Sequence, residues 1–157
     1  MAIGSFMMYN EAQKDYFDAT DSNWESNTHY AMLLDSAYVP DAAHHTRASL
    51  DGNEIGDADY AKQDLSGEAV VDNASPADGQ VNCTSDNITF GNPVTISALY
   101  LAILEGTVAG TASGDRVVGV VQLNTDSPLV VPASTTGPFT INAPTDGWFT
   151  VTSTPNP

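Results

Sequence analysis

The sequence predicts a mainly β fold, an antiparallel β-sandwich or jelly-roll-like body with a short N-terminal helix, and three observations predict it. The C-terminal third holds the apolar segments 96–104, 117–123 and 139–142, each bounded by Gly, Ser, Thr and Pro. Residues 147–152, Gly-Trp-Phe-Thr-Val-Thr, alternate as a half-buried strand does. Neither a heptad pattern nor a longer internal repeat competes with that reading.

Taken in order, residues 5–17 set Met8, Ala12 and Tyr16 at helical spacing, with Phe6, Tyr9 and Phe17 beside them. Ser5 is positioned to cap this helix, whose aromatic stripe is expected to lie on a sheet. A polar turn at 18–23 leads into a strand over 28–34, where Ala31-Met32-Leu33-Leu34 is continuous enough to be buried on both faces. Pro40-Asp41 ends the extended run after Tyr38, and 41–50 can form one short helical turn. Residues 60–71 are extended, with a hairpin or bulge expected at Gly67. Residues 80–90 hold two short strands around Ser85-Asp86-Asn87, and 95–104, 116–123, 138–142 and 147–153 complete a set of seven or eight.

With 157 residues the chain is one domain's worth, divided into an N-terminal arm and helix over 1–22 and a β-sandwich over 23–157. Its 41% hydrophobic content suits a globular body, while only 15% of residues are charged, so Ser, Thr, Asn and Gly supply much of the surface. The charges are lopsided: 20 Asp and Glu stand against Lys14, Lys62, Arg47 and Arg116, a net −16 at pH 7. No basic cluster exists to displace counterions from phosphates or to meet anionic lipid, so neither nucleic acid nor a membrane is expected as a partner. Cys83 is the single cysteine, which excludes an intramolecular disulfide and points to a buried, inert thiol. The amino terminus lacks a basic segment followed by an apolar one, so synthesis in the cytosol without classical export is expected. The Asn-x-Ser/Thr triplets at Asn73, Asn82 and Asn87 are then expected to be chance in an Asn/Thr-rich chain.

Motifs that would carry chemistry are weak. Asp51-Gly52-Asn53-Glu54-Ile55-Gly56-Asp57-Ala58-Asp59 invites a calcium reading, yet Ile55 and Lys62 stand where an EF-hand needs oxygen ligands, so a solvated acidic loop is expected, with a non-EF calcium loop as the rival. His44 and His45 are adjacent and, with His29, exhaust the imidazoles; neighbours on a strand face opposite ways, which makes a two-histidine metal site awkward. No Gly-x-Ser-x-Gly elbow positions a nucleophile, and Gly106-Thr107-Val108-Ala109-Gly110-Thr111 lacks the Gly-Lys-Ser/Thr ending of a phosphate loop. Trp24 and Trp148 read as core residues, with sugar stacking as the rival role. No catalytic, metal or cofactor residue is therefore assigned, and no enzyme is expected.

A resemblance adds to this reading. Tyr30 to Leu34, Ser36-Ala37-Tyr38-Val39-Pro40-Asp41, His45-Thr46, Asn53-Glu54-Ile55 and Tyr60 resemble, in that order, the signature of a family of small tailed-phage virion proteins. Ile88-Thr89-Phe90, the segment Thr95 to Ile103, Val118-Gly119-Val120-Val121 and Gly137-Pro138-Phe139-Thr140-Ile141 are similar to its later half. The chain departs from the pattern at Phe90, where the family has Trp, in a shortened stretch at Ser66-Gly67, and in a lengthened one between Gly106 and Arg116. The resemblance implies a non-enzymatic capsid decoration or cement protein on the virion exterior, with the major capsid protein and further copies of itself, as a trimer, for partners. Many copies give such a protein avidity from modest contacts. The N-terminal residues Phe6, Met7, Met8 and Tyr9, adaptable and near a chain end, are the expected capsid contact. The rival readings are a displayed receptor- or glycan-binding module and, third, a polysaccharide hydrolase.

Overall fold

A computed structural model describes residues 4–10, 12–14, 23–57, 59–72, 80–91, 96–123 and 138–152, with backbone alone at 72, 80, 151 and 152. Ten strands lie among them: β1 (Phe6–Met8), β2 (His29–Leu34), β3 (Gln63–Asp64), β4 (Ala69–Asp72), β5 (Gln80–Thr84), β6 (Ile88–Phe90), β7 (Tyr100–Glu105), β8 (Val117–Gln122), β9 (Phe139–Ile141) and β10 (Phe149–Thr152). A central five-stranded sheet has the order β1-β8-β7-β2-β3, a second has β10-β5-β4, and β6 pairs with β9. Every pairing is antiparallel. The molecule is mainly β and consistent with a sandwich, as the apolar segments and turn residues predict.

Period-two alternation divides the central sheet between two cores. Ala31 and Leu33 of β2, Leu101 and Ile103 of β7, and Val118 and Val121 of β8 share one core with Trp24, Cys83, Ile88, Phe90, Phe139, Ile141 and Trp148, residues largely from the two smaller sheets. Their neighbours Tyr30, Met32, Leu34, Ala102, Leu104, Val117 and Val120 point the other way, onto Tyr9, Tyr38 and Leu50. All six residues of β2 are buried, which explains its continuous apolar run. In β8 the register shifts at Ile103/Leu104: Ile103 faces Gly119 and Leu104 faces Val117. The extra residue is a bulge that reverses the alternation, so Val117 and Val120 can share a face.

The second core is closed by residues 35–55, a strap across the sheet's outer face. It leaves the end of β2, where Asp35 N–H donates to Asn53 O, and crosses to β8, where Arg47 N–H donates to Asp115 O and Val117 N–H to His45 O. It returns to β2 through a Leu34–Glu54 bridge and the bond from Ile55 N–H to Leu33 O. Short 3-10 turns at Arg47–Ser49 and Asp51–Asn53 make the bend expected near 41–50.

Two local expectations need correction. Phe6–Met8 form a strand, not the start of a helix, so Ser5 is no cap; helical residues begin at Asn10 and continue at 12–14, and 15–17 lie outside the described residues. The helical spacing is overridden by pairing with β8, which Gly119 permits: a Cβ there would sit 2.6 Å from the Phe6 ring and collide with the Met7 carbonyl. Gly119→Ala is accordingly expected to destabilise the fold by about 1–3 kcal/mol, as overpacking does, with denaturant unfolding as the measurement. Gly67 closes no hairpin either. With φ +63° it turns the chain from β3 in the central sheet to β4 in the three-stranded sheet, beside Asp86.

Candidate interaction surface

The signature residues of the resemblance meet in the strap and its anchors. Glu54 is the hub: Lys62 Nζ lies 2.5 Å and Arg47 Nη2 3.9 Å from its carboxylate. The Tyr60 hydroxyl donates to Glu54 and accepts Leu33 N–H at 3.0 Å, tying the strap's return to β2. Burial pushes the Tyr60 phenol well above its ordinary range, so it stays a donor. The phenol of Tyr38 bonds to that of Tyr9, and its oxygen is 3.0 Å from His44 Nδ1. Thr46 bridges Arg116, and Asp41 closes an Asx turn by accepting Ala43 N–H at 2.9 Å. These residues act as one architectural unit.

The acidic loop sends its carboxylates to separate partners. Asp51 Oδ1 lies 3.1 Å from Arg47 Nε, a charge contact without hydrogen-bond alignment; Glu54 serves the hub; Asp57 accepts Ser97 N–H at 3.2 Å. Among the described residues no group of three or more His, Cys, Asp and Glu could hold a metal ion. The histidines are also separate: His44 meets Tyr38, whereas His45 Nδ1–H donates to Ala43 O at 2.7 Å.

His29 is 1% exposed, stacks on Trp24 at 4.6 Å between ring centroids, and lies 2.7 Å from Glu68 Oε1 through Nδ1. That distance suits an ion pair, but burial outweighs the carboxylate and lowers the imidazole to about 4, so neutral His29 donates Nδ1–H. The unfolded chain takes up this proton near the ordinary value of about 6.5. Stability from His29 is therefore present above about pH 6.5 and lost as pH falls toward 4, by an amount on the order of 3 kcal/mol. Glu68, itself raised by burial, offsets part of this loss because it takes up a proton earlier in the folded state. Denaturant unfolding at pH values spanning that window should show a smaller acid loss in His29→Gln than in the native chain; equal losses contradict the assignment.

Trp24 and Trp148 are 1% and 3% exposed, and their indole N–H groups donate to Thr84 O and Ser85 Oγ, so neither presents a stacking face to a sugar. Cys83 is buried and its thiol is pushed up to about 12, first by burial and then by Glu25, which keeps it protonated and inert. Of the expected contact residues, Phe6, Met7 and Met8 are half-buried in β1 at the edge of the central sheet, and Tyr9 is fully buried. They are parts of the folded sheet, so a contact made there presents an ordered edge.

Two open grooves lie nearby. One is polar, lined by Ser26, Asn27, Thr28, Glu105, Gly106 and Arg116. The other, about 590 Å³, runs under the strap's outer bend between Tyr38, Pro40, Asp41, His44, Ser49 and Asn53. Val39 on that bend is 74% exposed, and Val70 and Val71 of β4, an edge strand, are 39% and 47% exposed. Compared with protein-family models, curated proteins and solved structures, the chain matches none.

Proposed function

We propose that the chain is a non-enzymatic structural component of a tailed-phage particle, a decoration or cement protein that binds the major capsid shell from outside and stabilises it. The observation that carries this reading is the strap: residues in the signature of the resemblance, among them Tyr38, Thr46 and Glu54, close the second face of the central sheet, while Ile55 and Tyr60 tie the strap to Leu33 from the side of the first core. Such residues build a rigid body rather than a reaction centre, and a rigid body works through its exterior. The net charge of −16 suits dense display, since like-charged copies stay apart in solution and meet only where a shell orders them. Recognition then falls to the few apolar exposures, at Val39, at Val70-Val71 and along β1. Copies are proposed to associate with one another on the particle as trimers.

The test is fractionation of particles made by the phage that encodes the chain. The chain should co-purify in a fixed ratio to the major capsid protein, and particles lacking it should lose their genome at a lower temperature. Particles without the chain, or particles equally stable when it is deleted, overturn the proposal.

A further inference from the structure

We propose that His44 is a proton-operated latch, which ties the end of β1 to the strap while its imidazole is neutral and loosens that tie when the imidazole is protonated. The inference stands apart from the virion reading, because it follows from the hydrogen inventory of three side chains. Tyr9, wholly buried, has the Tyr38 hydroxyl as its side-chain partner among the described residues. Tyr38 has Tyr9 on one side and His44 Nδ1 on the other, at 3.0 Å. His44 is half-buried and lines the open groove, so it joins solvent to the buried phenol pair.

Only one direction of bonding satisfies the chain. With His44 neutral and its hydrogen on Nε2, Tyr38 O–H donates to Nδ1 and Tyr9 O–H donates to Tyr38, and every hydrogen has an acceptor. An added proton makes Nδ1 a donor. Tyr38 then accepts from His44, and one phenolic hydrogen of the pair, that of Tyr9 if Tyr38 donates to it or that of Tyr38 if it accepts from both, is left without an acceptor among the described residues. Neither phenol relieves this by ionising, since burial raises both. Around His44 lie Tyr9 from the end of β1, Tyr38 of the strap, Asp41, whose backbone carbonyl accepts His44 N–H, and Tyr100 of β7, which packs edge-on against Tyr38.

The other histidines behave differently. His45 already donates from Nδ1 to Ala43 O, a bond that protonation leaves intact, and His29 takes up its proton only near pH 4.

The amides of Tyr9 and Asn10, bonded to Val118 O and Ala42 O, report the tie. Their hydrogen-exchange protection, corrected for intrinsic rates, should fall roughly fivefold or more between about pH 7.5 and about pH 5.5. Nitrogen chemical shifts of His44 at the higher pH should show the tautomer with hydrogen on Nε2. His44→Gln, whose amide oxygen can accept from Tyr38 and does not titrate, should abolish the pH dependence. Tyr38→Phe, which removes the hydroxyl that couples the imidazole to Tyr9, should abolish it too. An unchanged protection in the native chain, the same fall in His44→Gln or Tyr38→Phe, or a neutral His44 with hydrogen on Nδ1 would each overturn the latch.

Discussion

Removing residues 1–9 is expected to cost the fold several kcal/mol and to leave the remainder prone to association. The deletion takes away β1, whose Phe6 stacks on Phe149 at 5.6 Å, and Tyr9, which is fully buried beside Tyr38 and His44. Truncating one buried aromatic typically costs about 3–5 kcal/mol, a large part of the 5–15 kcal/mol by which domains are stable. The loss also bares the edge of β8, which β1 covers from Met8 opposite Gly119 to Phe6 opposite Val121. An uncovered apolar edge pairs with other chains. Denaturant unfolding and the size distribution of the truncated chain measure both effects; an unchanged unfolding midpoint would show that β1 is dispensable. A loss of particle binding on truncation alone therefore cannot be assigned to a lost contact, and point variants in a folded chain are the cleaner probe of Phe6, Met7 and Met8.

Trp24→Ala is expected to destabilise by a similar amount, about 3–5 kcal/mol. Trp24 joins the elements: its indole N–H donates to Thr84 O of β5 at 2.7 Å, its ring stacks on His29 of β2 and meets Phe149 of β10 edge-on at 5.3 Å. Alanine leaves a cavity in the core and opens the environment that keeps His29 neutral. Trp24→Phe keeps most of the contact area and removes the hydrogen bond, so it should cost only about 1–2 kcal/mol. Chemical denaturation of both variants checks the order; equal, small losses would mean that Trp24 is not an organiser of this core.

Much of the fold is legible in the chain because apolar runs report burial directly. Ala31-Met32-Leu33-Leu34 and Val117-Val118-Gly119-Val120-Val121 announce a sheet covered on both faces, and the buried Trp24, Trp148 and Cys83 follow from residue type. The start of the chain is misleading for a physical reason. Met8, Ala12 and Tyr16 have helical spacing, whereas the fate of Phe6–Met8 is decided by a long-range event, the approach to Gly119, that no local pattern encodes. The strap is legible only as a row of conserved-looking fragments in the resemblance, since its bonds join residues far apart, such as Arg47 N–H to Asp115 O and Leu33 N–H to Tyr60. The acidic segment 51–59 reads by composition as a solvated loop with calcium as a rival, whereas Asp51, Glu54 and Asp57 face Arg47, Lys62 and the amide of Ser97. The pairing of His44 with two buried phenols has a single sequence signal, the nearness of Tyr38 and His44, and its consequence depends on Tyr9 arriving from the other end of the sheet.

The most direct measurement of the proposed role as a phage virion component is electron cryomicroscopy of intact particles purified with this chain. The proposed role predicts density for the β-sandwich at repeated positions on the outer capsid surface, with apolar exposures such as Val39, Val70-Val71 or the β1 edge against the shell. Density for the chain only at the tail tip, or none on the particle, would contradict it.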